Sequence, residues 1–144
     1  DELNEARIPR LLNQWDKAVD GFSGKTVALL GLSFKPNTSD TREAPAIKVI
    51  PILQQKHAMI HAYDPKAIAE SRHLYQNVFF AKNAIDAAKG AHILILLVEW
   101  DEFKSLDFAA LKQVMTGNVF IDTRNQYEPE DIRKYGFKYI GIGR

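Results

Sequence analysis

The sequence predicts an α/β fold built on an open, mostly parallel six-stranded sheet preceded by one N-terminal helix. Three observations carry that expectation. Strand-sized apolar runs alternate with helical patterns along the chain, and no period repeats. Residues 93–98, Ile-Leu-Ile-Leu-Leu-Val, are apolar at every position, which suits a central parallel strand covered on both faces. Gly, Pro, Asn and Asp punctuate the ends of the segments.

Taken in order, Ile8, Leu11, Leu12, Trp15 and Val19 recur at helical spacing and predict an amphipathic helix over about 4–19, loosened at its start by Pro9. Gly21 and Gly24 end it, and residues 26–30 form the first strand. A helix follows with Ala46, Val49, Ile50 and Leu53 on one face; Pro51 removes its bond to the carbonyl of Ile47, so a kink is expected. Residues 59–63 are a second strand stopped by Asp64-Pro65, and a short helix over about 66–74 leads to a brief strand at 78–80. Asn83 and Gly90 bracket the next helix as N-cap and stop. After the strand at 93–98, Asp107 and Gly117 bracket a helix with Phe108, Leu111 and Met115 inward. Residues 119–122 are a fifth strand, 129–135 a short helix opened by Pro129, and 137–142 the last strand. The whole reads as a doubly wound, Rossmann-like sheet.

The bulk composition narrows the function. With 144 residues, 46% hydrophobic and 26% charged, the chain fits one domain with a proper core. Nineteen basic against 18 acidic side chains, a formal charge of +1, argue against a non-specific nucleic-acid binder. The absence of cysteine removes disulfides, thiolate metal sites and thiol nucleophiles, and is compatible with a reducing cytoplasm. No signal peptide is visible and no apolar run nears the roughly 18 residues a membrane span needs, so neither nucleic acid nor membrane is an expected partner. The chain opens on Asp1 inside a helical pattern, and is expected to be a piece of a longer protein.

The densest chemistry lies in Gly31-Leu32-Ser33-Phe34-Lys35-Pro36-Asn37-Thr38-Ser39-Asp40-Thr41-Arg42-Glu43-Ala44-Pro45, between the first strand and its helix. Loops at the carboxyl ends of parallel strands line the ligand crevice of such a sheet. This one offers Lys35, Arg42, an aromatic ring and several hydroxyls, which is equipment for an anion. It is no dinucleotide fingerprint, because Gly31 stands alone where three glycines are needed. Lys35 reads either as an anion contact or as a surface lysine. Arg42 reads first as the partner of Asp40. Arg124, after the fifth strand, opens on the same sheet edge and suits bidentate phosphate binding, or is a solvated loop residue. Trp100, in Glu99-Trp100-Asp101, reads as packing, and Asp64 as a turn former before Pro65. The four histidines show no metal-ligand spacing, and no nucleophile-base constellation can be argued, so no catalytic and no metal-binding residue is assigned.

The order of residues 31–45 resembles the signature of the UDP-glucose/GDP-mannose dehydrogenase family, at the entry to its C-terminal UDP-sugar-binding domain. That resemblance implies residues 1–22 as the end of a connecting helix and 23–144 as the UDP-sugar-binding domain. It implies substrate contacts from Phe34, Lys35 and Arg124, the last often contributed across a subunit interface, and a contact from Arg42 to NAD. The cofactor NAD would be held mainly by a separate N-terminal domain. For the full-length protein it implies an NAD-dependent UDP-glucose 6-dehydrogenase making UDP-glucuronate for polysaccharide biosynthesis, as a cytoplasmic homo-oligomer. The isolated chain, lacking a thiol and a dinucleotide loop, is expected to be inactive alone. The family usually has a threonine before the Glu-Trp pair; Val98 stands there instead. Two alternatives remain open: the same domain of a UDP-N-acetylmannosamine or GDP-mannose dehydrogenase, and a stand-alone nucleotide-sugar-binding module.

Overall fold

The computed structural model describes residues 3–143; Asp1, Glu2 and Arg144, at the outer ends of the expected domain boundaries, lie outside the described residues. Helix α1 (Ile8–Ala18) leads into β1 (Thr26–Leu30), α2 (Ala46–Gln55), β2 (Met59–Tyr63), α3 (Ile68–Ser71) and β3 (Val78–Phe80). There follow α4 (Ala84–Ala88), β4 (Ile93–Leu96), α5 (Asp101–Lys104), α6 (Phe108–Val114), β5 (Val119–Asp122), α7 (Pro129–Arg133) and β6 (Lys138–Gly141). The six strands form one sheet in the order β3-β2-β1-β4-β5-β6, and every pair is parallel. The chain winds outward from β1 to β3, crosses back to β4 beside β1, and winds outward again. That reversal creates a crevice between the exits of β1 and β4, where open α/β sheets hold ligands.

Central position explains burial. Residues Val27 to Leu30 of β1 and all of β4 are buried, whereas β3, at the sheet edge, is only partly covered. Helix α1 packs on α2, and α4 packs with α6 and against β1 and β2. Ile8, Leu11, Leu12 and Trp15 are buried with the sheet residues in one hydrophobic cluster, so the apolar stripe of α1 is covered by its own chain.

Local chemistry sets the ends. Asn83 accepts from the amide of Asp86 (2.7 Å) and Asp107 from that of Ala110 (3.0 Å), capping α4 and α6. Asn4 accepts from the Arg7 amide (3.1 Å), which places a capped turn ahead of α1 and starts the regular helix at Ile8, later than position 4. Helix α2 runs through Pro51. Strand β4 ends at Leu96, two residues short of its apolar run; Leu97 still donates to the carbonyl of Leu30 (2.8 Å), and Val98 turns away, buried. No helix among the described residues is long and apolar enough to cross a membrane.

Candidate functional site

The exits of β1, β4 and β5 lie together at the carboxyl edge of the sheet. Gly31 leaves β1 with φ +111°, and a Cβ there would stand 2.7 Å from both the backbone nitrogen and Cβ of Val98. Only glycine permits that approach of the two diverging strands. Beyond it the loop is anchored from β2. Asp64, 2% exposed, accepts through Oδ2 from the amides of Leu32 (2.8 Å) and Ser33 (2.9 Å) and from the Ser33 hydroxyl (2.9 Å). Its Oδ1 accepts from the amides of Lys66 (2.8 Å) and Ala67 (2.9 Å), the turn-forming role expected of it. Trp100, from the β4 exit, is buried and donates its indole N–H to the Ser33 hydroxyl (3.1 Å). Phe34 then donates its amide to the carbonyl of Asp40 (2.7 Å), closing the loop on itself. Phe34 as a residue stays 47% exposed, which leaves apolar surface for contact.

The β5 exit is built on a second buried carboxylate. Asp122 accepts from the Arg124 amide (3.1 Å), the Tyr127 amide (3.1 Å) and the Tyr139 hydroxyl (2.8 Å). Burial, and then the charge of Asp122, push the Tyr127 hydroxyl well above the usual tyrosine range. The Thr123 hydroxyl donates to the Leu96 carbonyl (2.6 Å), tying this exit to β4. Arg124 reaches out from that frame, its Nε (3.2 Å) and Nη2 (2.9 Å) both donating to Oε2 of Glu99.

Phe34, Lys35 and Arg124 come together in one open cleft of about 780 Å³, closed by residues 3–6 and the start of α2. Lys48 and the acidic Glu5 and Glu43 share its wall, so cations and anions are mixed there. Arg42 is not among the lining residues. Its side chain is 87% exposed, and it donates through Nε (3.0 Å) and Nη2 (2.9 Å) to Asp40, the local ion pair its spacing suggests. Those bonds, with one from the Arg42 amide, hold the Asp40 carboxyl down to about 2 and raise the guanidinium. Two cations with an aromatic ring between loops suit a ligand that is anionic at one end and planar or apolar at another.

Sequence reasoning missed three contributors: the cleft wall at residues 3–6, the grip of Glu99 on Arg124, and the second oxygen of Asp64. The last two depend on strand neighbours, β4 beside β5 and β2 beside β1. An acid directly after the second strand of a sheet whose first turn carries one glycine in place of three was the available signal for Asp64.

Comparison with known proteins agrees with the geometry. Residues 28–129 match the UDP binding domain of the UDP-glucose/GDP-mannose dehydrogenase family. The UDP-glucose 6-dehydrogenase of Rhizobium meliloti (strain 1021) is 41% identical over 121 residues, 84% of this chain and 28% of that protein. Among solved structures, a UDP-glucose dehydrogenase from Pyrobaculum islandicum superposes with a TM-score of 0.76 at 26% identity, covering 95% of this chain and 30% of that one. NDP-N-acetyl-D-galactosaminuronic acid dehydrogenase from Methanosarcina mazei Go1 gives 0.80 at 27% identity, covering 96% and 29%. The chain thus spans less than a third of each of these proteins. A doubly wound parallel sheet, a cleft of mixed charge at its carboxyl edge and a match over most of its length place the chain in the UDP-glucose/GDP-mannose dehydrogenase family, as its UDP-binding domain.

Proposed function

We propose that the cleft between the β1 loop and the β5 exit holds the UDP part of a nucleotide sugar. The longer protein to which such a domain belongs would oxidise UDP-glucose to UDP-glucuronate with NAD. The convergence of Phe34, Lys35 and Arg124 in one cleft at the carboxyl edge carries this reading. In it Lys35 and Arg124 meet diphosphate oxygens, and the exposed Phe34 ring packs on the nucleotide or sugar. The names of the relatives support glucose as the sugar; the similarity to an N-acetyl-galactosaminuronic acid dehydrogenase keeps the N-acetylated sugars as the competing substrates.

NAD does not suit the crevice of this chain. The amides of Leu32 and Ser33 that would meet a pyrophosphate donate to Asp64 instead, and one glycine stands where three are needed. The cofactor is therefore assigned to the remainder of a longer protein, with the exposed Arg42 reaching toward it. Assembly as a homo-oligomer in the cytoplasm fits this reading.

Calorimetry of UDP with the chain, Lys35→Ala and Arg124→Ala tests the assignment. Each charge-assisted contact is worth about 1.5–3 kcal/mol when desolvated, and screening in an open cleft brings the expected loss to about 10-fold in affinity. Uridine is expected to bind far more weakly than UDP, and added salt to weaken UDP. Equal UDP affinity in all three proteins would remove both residues from the site.

A further inference from the structure

We propose that Asp64 is a built-in substitute for a bound phosphate at the β1 exit, and that it thereby positions Lys35 at the cleft. The inference rests on the nucleotide-sugar reading above and identifies what orients its binding loop.

In an open parallel sheet, amides just past the first strand at the switch point converge on a phosphate of the ligand. Here the same kind of convergence exists with an internal acceptor. One carboxylate oxygen of Asp64 receives two amides, Leu32 at 2.8 Å and Ser33 at 2.9 Å, and the Ser33 hydroxyl at 2.9 Å. The other oxygen is fixed by two amides of its own turn, Lys66 and Ala67. With five donors and 2% exposure, the carboxylate is locked in place and occupies the position from which an outside anion would have to displace it. The helix that would lend its N-terminus to such an anion is also absent from the turn, since α2 begins only at Ala46. A β2 acid that in a dinucleotide-binding sheet faces a ribose is here turned inward onto the chain.

The consequence runs outward through Ser33. Its hydroxyl donates to Asp64 and accepts from the Trp100 indole at 3.1 Å, so it is held from β2 and β4 at once. The next amide, that of Phe34, is fixed by the Asp40 carbonyl at 2.7 Å. Phe34 and Lys35 therefore leave a base with little freedom, which lowers the ordering cost of binding. Asp64 touches no ligand in this scheme; it is a positioning residue that works through Lys35, and it keeps dinucleotides out of the crevice.

Asp64→Asn tests this with almost no change in size. Its amide must turn an NH2 toward one of two pairs of backbone donors, breaking one side of the clamp. The Leu32 and Ser33 amide protons are expected to move upfield in the NMR spectrum as their charge-assisted bonds are lost. By calorimetry, UDP is expected to bind the variant about 10-fold more weakly, and the Asp64→Asn change is expected to cost little more once Lys35→Ala is present. Parental UDP affinity in Asp64→Asn, or losses that simply add in the double variant, would overturn the inference while leaving the UDP site standing. No UDP binding by the parent chain would instead overturn the nucleotide reading and this inference with it. Should Asp64→Asn not fold, Ser33→Ala, which removes only the hydroxyl link, enters the same cycle with Lys35→Ala and is judged by the same two outcomes.

Discussion

A methyl group added at Gly31 would lie 2.7 Å from the backbone nitrogen of Val98, at a residue with φ +111°. Over-packing of this kind costs about 1–3 kcal/mol, and backbone strain adds to it. Gly31→Ala should therefore lower the urea midpoint clearly, and Val98→Ala should not rescue it, because the backbone nitrogen is as close as the side chain. Full rescue would show that the contact is only with the removable methyls. Asp40 offers a pH test on the same loop. Its folded pKa, about 2, lies below the ordinary 3.8, so the Arg42 bonds contribute stability above about pH 4 and lose it as pH falls through about 2. An NMR titration of the Asp40 carboxyl should show that low midpoint and its return toward 3.8 in Arg42→Ala. A midpoint near 4 in the parent would mean the pair does not persist in solution. Both residues were legible in the sequence, the glycine as a lone turn residue and the arginine as a neighbour of Asp40. The distance to Val98 was not, because it depends on β4 lying beside β1.

Helix α1 is the clearest case of a face that its own chain covers. Leu12 is fully buried and belongs to the same cluster as the sheet residues. Leu12→Ala is expected to cost about 2–5 kcal/mol of stability, measured by urea unfolding. A loss below 1 kcal/mol would mean that α1 docks loosely and its stripe is available to other surfaces. Strands β1, β2, β3 and β5 coincide with the segments read from the sequence, since short apolar runs bounded by turn residues leave little freedom of placement. The apolar run at 93–98 outlasts β4 because burial, and not ladder pairing, keeps Leu97 and Val98 apolar. Helix α5, four residues directly behind the β4 exit, was not read from the sequence. The loops that carry Phe34, Lys35 and Arg124 were readable because carboxyl-end loops share one edge. The grip of Glu99 on Arg124 was not, since it joins residues 25 positions apart across two strand exits.

The all-parallel register slows assembly of the sheet. No two adjacent strands can zip from a tight turn, so every pairing waits for a long loop to close. Strand β1 meets β2 through Thr26 and Met59, 33 positions on, and meets β4 through Val27 and Ile93, 66 positions on. As the chain emerges during synthesis, β1, β2 and β3 can associate while the partner of the other side of β1 does not yet exist. The growing sheet then presents Val27-Ala28-Leu29-Leu30, buried throughout in the finished fold, as an open edge. Unpaired apolar edges capture like edges on other chains. Refolding from urea should accordingly take on the order of milliseconds to seconds, and its yield should fall as protein concentration rises while the folded protein stays clear. Stopped-flow fluorescence and light scattering over a concentration series measure both, and a yield independent of concentration would show that β4 reaches β1 before a second molecule can.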